Sequence, residues 1–566
     1  MKKVIPVLIA LVLIVIIGAA TAGSIVFEKY SYSKEQANLQ EYFKVQGDEL
    51  AIILQDERVE EKAHLVNDTC YFDLDTVHKY FNDTFYVDKN EGLLLYALPT
   101  NVDRYELGDG PVSASGEKNL VYRQGETIYL AADLVNKYTN YSYACYDYRV
   151  QVYTEWSERR VATVEKATQI RVKGGVKSPV LRELLAEEQV EVLEKMENWS
   201  KIKTGDAFIG YVENKFLSEE SKVTETPVTD YVEPEYTTKQ LDEKVCLGWH
   251  SIGGVGGNDT LESMAANTKG MNVIAPTWFS LNDSQGGYES FASASYVKRA
   301  HDMGLQVWGV LDDFNYSLTH QDVQVNVFEV LSTTTTRNRL IDAIVEEAVA
   351  LGLDGINLDF EAQPSKEIYH KYKQDFAQFV REMSVACRLN NLTFSIDNPV
   401  PNSNNTYLCR DVQGKVADYV IIMGYDEHLN SHGKASSAAS INFVSNGIDD
   451  TLKLVPKEKV VNGIPFYGML SKTKDAEVTY SDLIVKNVQD FLDRVGQTGT
   501  WDEEAQQLYA EWSSGGVKYQ LWAETKESIL VKLNVMRAKE IAGVAVWCLG
   551  CETPDVWEAI SAYLNS

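Results

Sequence analysis

From residue 244 onward the chain alternates short apolar runs with segments of helical period, and it does so eight times. Strand-like runs fall at 245–251, 271–279, 305–311, 355–361, 392–397, 418–425, 459–465 and 543–549. The clearest helical segments between them are 296–303, 337–351, 366–389 and 528–541. Near-continuous apolar strands separated by helices predict a parallel sheet covered on both faces. Eight such units predict an α/β fold, a (β/α)8 TIM barrel, somewhat longer than the usual ~250 residues. The excess lies between the seventh and eighth strands. There residues 467–525 read as an inserted subdomain with a hairpin at Gly515-Gly516.

In such a barrel, chemistry collects at the C-terminal ends of the strands. The fourth run is Asp354-Gly355-Ile356-Asn357-Leu358-Asp359-Phe360-Glu361. Side chains alternate along a strand, so Asn357, Asp359 and Glu361 share one face and Ile356, Leu358 and Phe360 the other. Charges taken from water are costly unless paired or used, so two acids and an amide opposite an apolar row predict a polar cavity. Asp354 falls on the opposite face and reads as structural. The sixth run ends in Met423-Gly424-Tyr425-Asp426, the eighth delivers Trp547, the second ends at Thr277-Trp278-Phe279, and the first carries Trp249 and His250. Acids, a phenol and indoles on one rim suit a carbohydrate, because aromatic faces stack on sugar rings and acids bond hydroxyls and amides. The competing reading of Asp359 and Glu361 is a buried ion pair with Lys or Arg at a strand end.

The rest of the chain bounds where this chemistry occurs. Lys2 and Lys3 precede an uncharged run from Val4 to Gly23, long enough to span a bilayer and oriented to place the bulk outside the cytoplasm. A membrane anchor over residues 1–23 is expected; Ala20-Thr21-Ala22 leaves open a cleaved signal and a secreted protein. The formal charge of -29 argues against a nucleic-acid partner. Seven scattered cysteines form no disulfide framework, and Cys548-Leu549-Gly550-Cys551 lacks the two further ligands of a zinc site. His250, His428 and His432 lack a metal-like spacing, so neither metal nor cofactor is expected. Residues 45–157 read as a small α+β module, 158–220 as a small β barrel of short strands with Gly and Pro turns, and 221–243, rich in Glu, Thr, Pro and Ser, as a linker.

Three motifs carry a resemblance over residues 244–566. The fourth run resembles the DxxDxDxE signature of glycoside hydrolase family 18, the chitinase-like enzymes. Met423, Tyr425 and Asp426 resemble its MxYD motif, and Trp547 its strand-eight tryptophan. The DGxNxDxE form resembles most the spore and cell-wall N-acetylglucosaminidase branch. The run from Trp199 to Lys203, with Gly205, Gly210 and Tyr211, resembles a bacterial Src-homology-3-like domain, and 45–157 resembles a stalk domain related to copper amine oxidases, with no copper implied.

The family resemblance implies retaining, substrate-assisted hydrolysis of β-1,4 bonds after N-acetylglucosamine in peptidoglycan or chitin-like glycans. Glu361 would be the acid, Asp359 its helper and Tyr425 the acetamide donor. Asn357, Met423, Asp426, Trp547 and Trp278 would contact substrate, and the upstream modules would bind the cell wall. The alternative is a non-catalytic wall-binding protein on the same barrel. Two departures stand out. Asn357 replaces the family's middle aspartate, which shortens any proton relay by one member. The third strand, ending Val310-Leu311-Asp312, lacks the family's Ser-Gly-Gly.

Overall fold

The computed structural model describes residues 5–224, 229–323, 325–430 and 433–565. Lys2 and Lys3, residues 225–228 of the expected linker, and His432 lie outside them. The chain divides into two compact units, one of residues 1–85 and 105–233, the other of 86–104 and 234–566.

The first unit begins with a helix, Ile5–Tyr30, whose stretch Val7–Tyr30, of mean hydropathy 2.6, is long and apolar enough to cross a membrane. Two seven-stranded sheets follow. One runs from Glu49–Leu54 to Arg149–Tyr153 and carries the helix Leu74–Tyr80, capped where Asp73 Oδ1 accepts from Thr76 N at 2.8 Å. The other holds Glu158–Thr163, Thr168–Arg171, Gln189–Lys195, Trp199–Thr204 and Ile209–Glu213. It has two further strands not expected from sequence, Val180–Leu184 and Ser221–Thr224. The latter begins the supposed linker, but Lys222 and Val223 pair with Arg160 and Arg159, so its backbone is satisfied as an edge strand. The two sheets share a core in which Ala51 and Ile53 pack with Ile170, Ile202 and Val212.

The second unit is a closed parallel barrel. Its strands are β1 (Val245–His250), β2 (Val273–Leu281), β3 (Gln306–Asp312), β4 (Gly355–Asp359), β5 (Thr393–Pro399), β6 (Tyr419–Met423), β7 (Val460–Pro465) and β8 (Gly543–Trp547). Each pairs with the next, and β8 closes on β1 through Val245↔Gly543 to Gly248↔Val546. β1 and β2 are buried along their whole length, as strands covered on both faces require. Between β7 and β8 an antiparallel five-stranded sheet includes the hairpin Gln507–Ser514/Val517–Ala523. Its turn needs positive φ at both centres, which Gly515 (58°) and Gly516 (78°) supply without a Cβ penalty.

Two segments expected elsewhere belong to this unit. The strands Tyr86–Asp88 and Leu93–Ala97 dock on the barrel helices. Tyr86 OH donates to Asp375 Oδ1 at 2.8 Å, and Asp88 Oδ2 accepts from Thr334 N and Oγ1 at 2.5 and 2.7 Å. Arg337, fully buried, donates to Tyr86 OH and forms a two-pronged pair with Glu382 at 2.8 and 3.3 Å. The end of the supposed linker is likewise fixed. Lys239 N donates to Asp418 Oδ1 at 2.6 Å and Leu241 N to Tyr419 OH at 2.7 Å.

Candidate active site

The C-terminal ends of β3, β4 and β5 place acids side by side. Register pairs Asp312 with Asp359 across β3 and β4. Across β4 and β5 it pairs Asn357 with Ser395 and Leu358 with Ile396, which sets Asp359 opposite Asp397 one step further. In-register neighbours project to the same face from strands ~4.8 Å apart. Asp312, Asp359 and Asp397 therefore form a lateral row, with Glu361 just beyond the end of β4.

Each acid has a different environment. Asp312 is satisfied: it accepts from Ser280 Oγ (2.7 Å), Phe314 N (3.1 Å), Asn315 N (2.8 Å) and Asn315 Nδ2 (2.7 Å). Asp313 accepts from Glu361 N at 2.9 Å and Ala362 N at 3.1 Å, and burial lifts it to about 6. Asp359 has a buried Oδ1 with no hydrogen-bond partner. Burial, then the charges of Asp397, Glu361, Asp312 and Asp313, push its carboxyl well above the usual range. Asp397 Oδ2 is also buried and unpartnered, and burial lifts this carboxyl to about 8.

Glu361 is accessible from solvent while protein crowds its other sides. Desolvation, then the charges of Asp313, Asp426 and Asp312, push it up to about 7. The like charges that lift Glu361 are thus those of Asp313, Asp426 and Asp312.

Glu361 opens into a cleft also lined by Met423, Tyr425, Asp426, Asn405 and Tyr407. Tyr425 is buried and set edge-on to Tyr467 at 6.2 Å. Burial, then Tyr467 and the acids Asp359, Asp397 and Asp426, push its phenol well up, so it remains a neutral O–H donor. Tyr467 OH donates to Asp426 Oδ1 at 2.5 Å. A Cβ at Gly463 would lie 3.1 Å from Ile422 O and Tyr425 Cε1 and 3.4 Å from Trp249 Cζ3, so a larger residue there would press the tyrosine ring outward by a few tenths of an ångström.

Asn357 lies behind this row, fully buried. Its Oδ1 accepts from Trp249 Nε1 at 3.0 Å, and its Nδ2 donates to Ser395 Oγ at 3.0 Å and Asp397 Oδ1 at 2.8 Å. Trp547, part-exposed at the end of β8, meets Trp249 edge-on at 6.1 Å. Trp278 is different. It is 1% exposed, donates to Asn258 Oδ1 at 2.8 Å and packs against Tyr296, so it is a core residue with no face for a sugar. Burial depresses His250 to about 4, and its ring bonds Tyr296 OH and Thr260 Oγ1. Asp354 bonds His301 Nε2 and Val307 N, away from the cleft.

Asp313 and Asp397 were not singled out from sequence. The only signals were the doubled acid Asp312-Asp313 and the alternation Ser395-Ile396-Asp397 inside an apolar run. Among the described residues no group of three or more His, Cys, Asp or Glu is placed to hold a metal ion. Among the described residues no Lys or Arg is paired with Asp359, Glu361 or Asp397, which weighs against the structural ion-pair reading. A proton-rich cluster of acids at an accessible cleft, with a neutral phenol beside it, is equipped for general acid chemistry.

Residues 320–552 match the profile of Glycosyl hydrolases family 18, and residues 166–218 that of the Bacterial SH3 domain. The chain is 25% identical over 293 residues to the uncharacterized glycosylase YvbX of Bacillus subtilis (strain 168), covering 51% of this chain and 84% of that one. It is 25% identical over 251 residues to the cortical fragment-lytic enzyme of the same organism, covering 42% of this chain and 56% of that one. Against a probable di-N-acetylchitobiase 1 of Dictyostelium discoideum it is 25% identical over 282 residues, with 42% and 74% covered. The chain thus spans little more than half of the cortical fragment-lytic enzyme. A crystal structure of a chitinase from Chromobacterium violaceum superposes with TM-score 0.49 at 20% identity, over 57% of this chain and 99% of that one.

Proposed function

We propose that this chain, whose residues 320–552 match Glycosyl hydrolases family 18, is a glycoside hydrolase that cleaves β-1,4 bonds after N-acetylglucosamine by a retaining, substrate-assisted route. Glu361, set in an accessible cleft beside Tyr425 and Asp426 and pushed up to about 7 by burial and neighbouring acids, carries this reading. It gives its proton to the glycosidic oxygen as the bond breaks. The substrate's own 2-acetamido oxygen attacks the anomeric carbon, which forms an oxazolinium ion in place of an enzyme-bound sugar. Asp359 accepts from the acetamide N–H and offsets its positive charge. The neutral phenol of Tyr425 donates to the acetamide oxygen and orients it. Met423 and Asp426 line the same cleft, and Trp547 offers a ring face for the sugar. Water then opens the oxazolinium while Glu361, now ionised, takes its proton.

Peptidoglycan is the favoured polymer, with chitin-like glycans as the close chemical alternative. The support is the SH3-type module upstream of the barrel and the apolar helix at Ile5–Tyr30, which together suit a protein held outside the cytoplasm beside the wall. Two of the relatives are named for cortical fragment lysis and for a chitobiase. The test is hydrolysis by the full chain of N-acetylated oligosaccharides and of purified walls, beside Glu361→Gln, with mass spectra of the released reducing ends. New N-acetylglucosamine reducing ends in the wild type alone support the assignment. N-acetylmuramic ends, or equal rates in the two proteins, overturn it.

A further inference from the structure

The family-type relay is one carboxylate short at position 357, yet the buried row is not short of carboxylates. Asp397 on β5 has no counterpart in the three motifs, and the register of β4 with β5 brings it beside Asp359. We propose that Asp397 is a positioning residue that receives the proton of Asp359 when substrate binds, and so supplies from β5 the acid that Asn357 cannot supply from β4. This rests on the reading of Asp359 given above.

Geometry carries the assignment. The register Leu358↔Ile396, carried one residue further, sets Asp359 opposite Asp397 on adjacent parallel strands. Asp359 Oδ1 and Asp397 Oδ2 are both buried without a partner. A buried carboxylate oxygen left unpaired is costly, and two adjacent buried carboxylates cannot both ionise cheaply. One proton shared between these two oxygens gives each a partner and leaves the pair with a single negative charge. The remaining oxygen of Asp397 is already engaged, because Asn357 Nδ2 donates to Oδ1 at 2.8 Å. Asn357 cannot turn over, since its own Oδ1 accepts the indole N–H of Trp249. The amide is thus a clamp that leaves Oδ2 as the free proton site. Both carboxyls bind protons more tightly than usual, in keeping with a shared proton.

The step balances. Where the pair holds a single proton, that proton sits on Asp359 and the charge on Asp397. As the acetamide N–H arrives and becomes cationic, the O–H bond at Asp359 breaks and one forms at Asp397 Oδ2. The negative charge moves to Asp359, next to the cation it must offset. No other proton or electron moves. The groups facing this pair are Asp312 and Asp313 from the β3 end, Glu361 from β4, Tyr425 from the β6 end and Trp249 from β1.

The test uses the full chain carrying Asp397→Asn, and the exchange Asn357→Asp with Asp397→Asn, which returns the acid to β4 with the same volumes. Expected for Asp397→Asn is kcat lower by about 100-fold with KM changed by less than about 5-fold, the size of a lost proton-transfer partner. Its alkaline limb of kcat/KM should fall with the loss of one proton, where the wild type loses two. The exchange variant should recover at least about ten-fold of the lost kcat. An unchanged kcat and pH profile in Asp397→Asn overturns the proposal, as does an exchange variant no better than the single one. Infrared spectra decide independently of turnover. In Glu361→Gln, a protonated-carboxyl C=O band should persist above the pH at which Asp313 ionises, and shift or vanish on adding Asp397→Asn. Absence of that band overturns the proposal even if Asp397→Asn fails to fold. If the wild type hydrolyses no N-acetylated glycan while the band behaves as expected, the substrate reading fails and the shared proton stands.

Discussion

The backbone N–H of Glu361 donates to Asp313 Oδ1 at 2.9 Å, so the acid that stands at the cleft is held by a neighbour that also lifts its proton affinity. One side chain thereby sets both the position and the charge state of another.

Asp313→Asn separates these two effects. It removes a like charge, which favours ionised Glu361, so the alkaline limb of kcat/KM should move to lower pH. The amide can accept one N–H but presents a donor to the other, so a drop of about ten-fold in kcat at neutral pH is expected from loosened positioning. A limb that stays fixed in a pH–rate series would show that Asp313 does not act on Glu361.

Glu361→Gln should lower kcat by about 100-fold or more while preserving the fold. Stability supplies a second check. The folded-state pKa of Glu361 is raised to about 7, so its contribution is fully present below the unfolded value near 4.5 and is lost as pH rises through 7. Glutamine carries no such penalty. Thermal melts should therefore show the variant gaining on the wild type between acid pH and pH 8, and a gain at acid pH instead would contradict the raised value.

Trp547 and Trp278 should part company. Trp547→Ala removes an accessible ring and should raise KM about five-fold, the equivalent of ~1 kcal/mol of stacking. Trp278→Ala empties a core site and should cost about 3–5 kcal/mol of stability in denaturant titrations, with KM unchanged in the protein that stays folded. A KM effect from Trp278 would return it to the sugar site.

Arg337→Met leaves Glu382 buried without its cation and strips a donor from Tyr86. Breaking a buried pair on one side costs about 3–5 kcal/mol. Adding Glu382→Met should recover much of that loss in equilibrium unfolding; additive losses would mean that the pair is not the source.

The barrel was legible because a buried parallel strand writes itself locally, as at 245–251 and 418–425, and because Asp359, Glu361 and Tyr425 end such strands. The hairpin turn at Gly515-Gly516 was legible for the same reason, since only certain residues accept its backbone. Trp278 was not, because a tryptophan at a strand end reads alike whether it faces Tyr296 or a ligand. Asp397 was hidden by β-strand alternation: its meaning depends on the register with β4, which no single strand carries. The strand Val180–Leu184 mixes Arg182 and Glu183 into its run and blurs the apolar signal. The docking of Tyr86 and Asp88 depends on partners at Asp375 and Thr334, far beyond any sequence window.

That docking makes the catalytic body a discontinuous domain. A fragment starting at residue 244 would forfeit Tyr86, Asp88 and the bonds of Lys239 and Leu241, exposing Arg337 and Asp375 where they are now covered. Excision at the apparent boundary therefore cuts into the enzyme itself. Conversely, a protease nick near residue 233 need not release a free barrel, because the upstream piece keeps its grip through the segment it has lent.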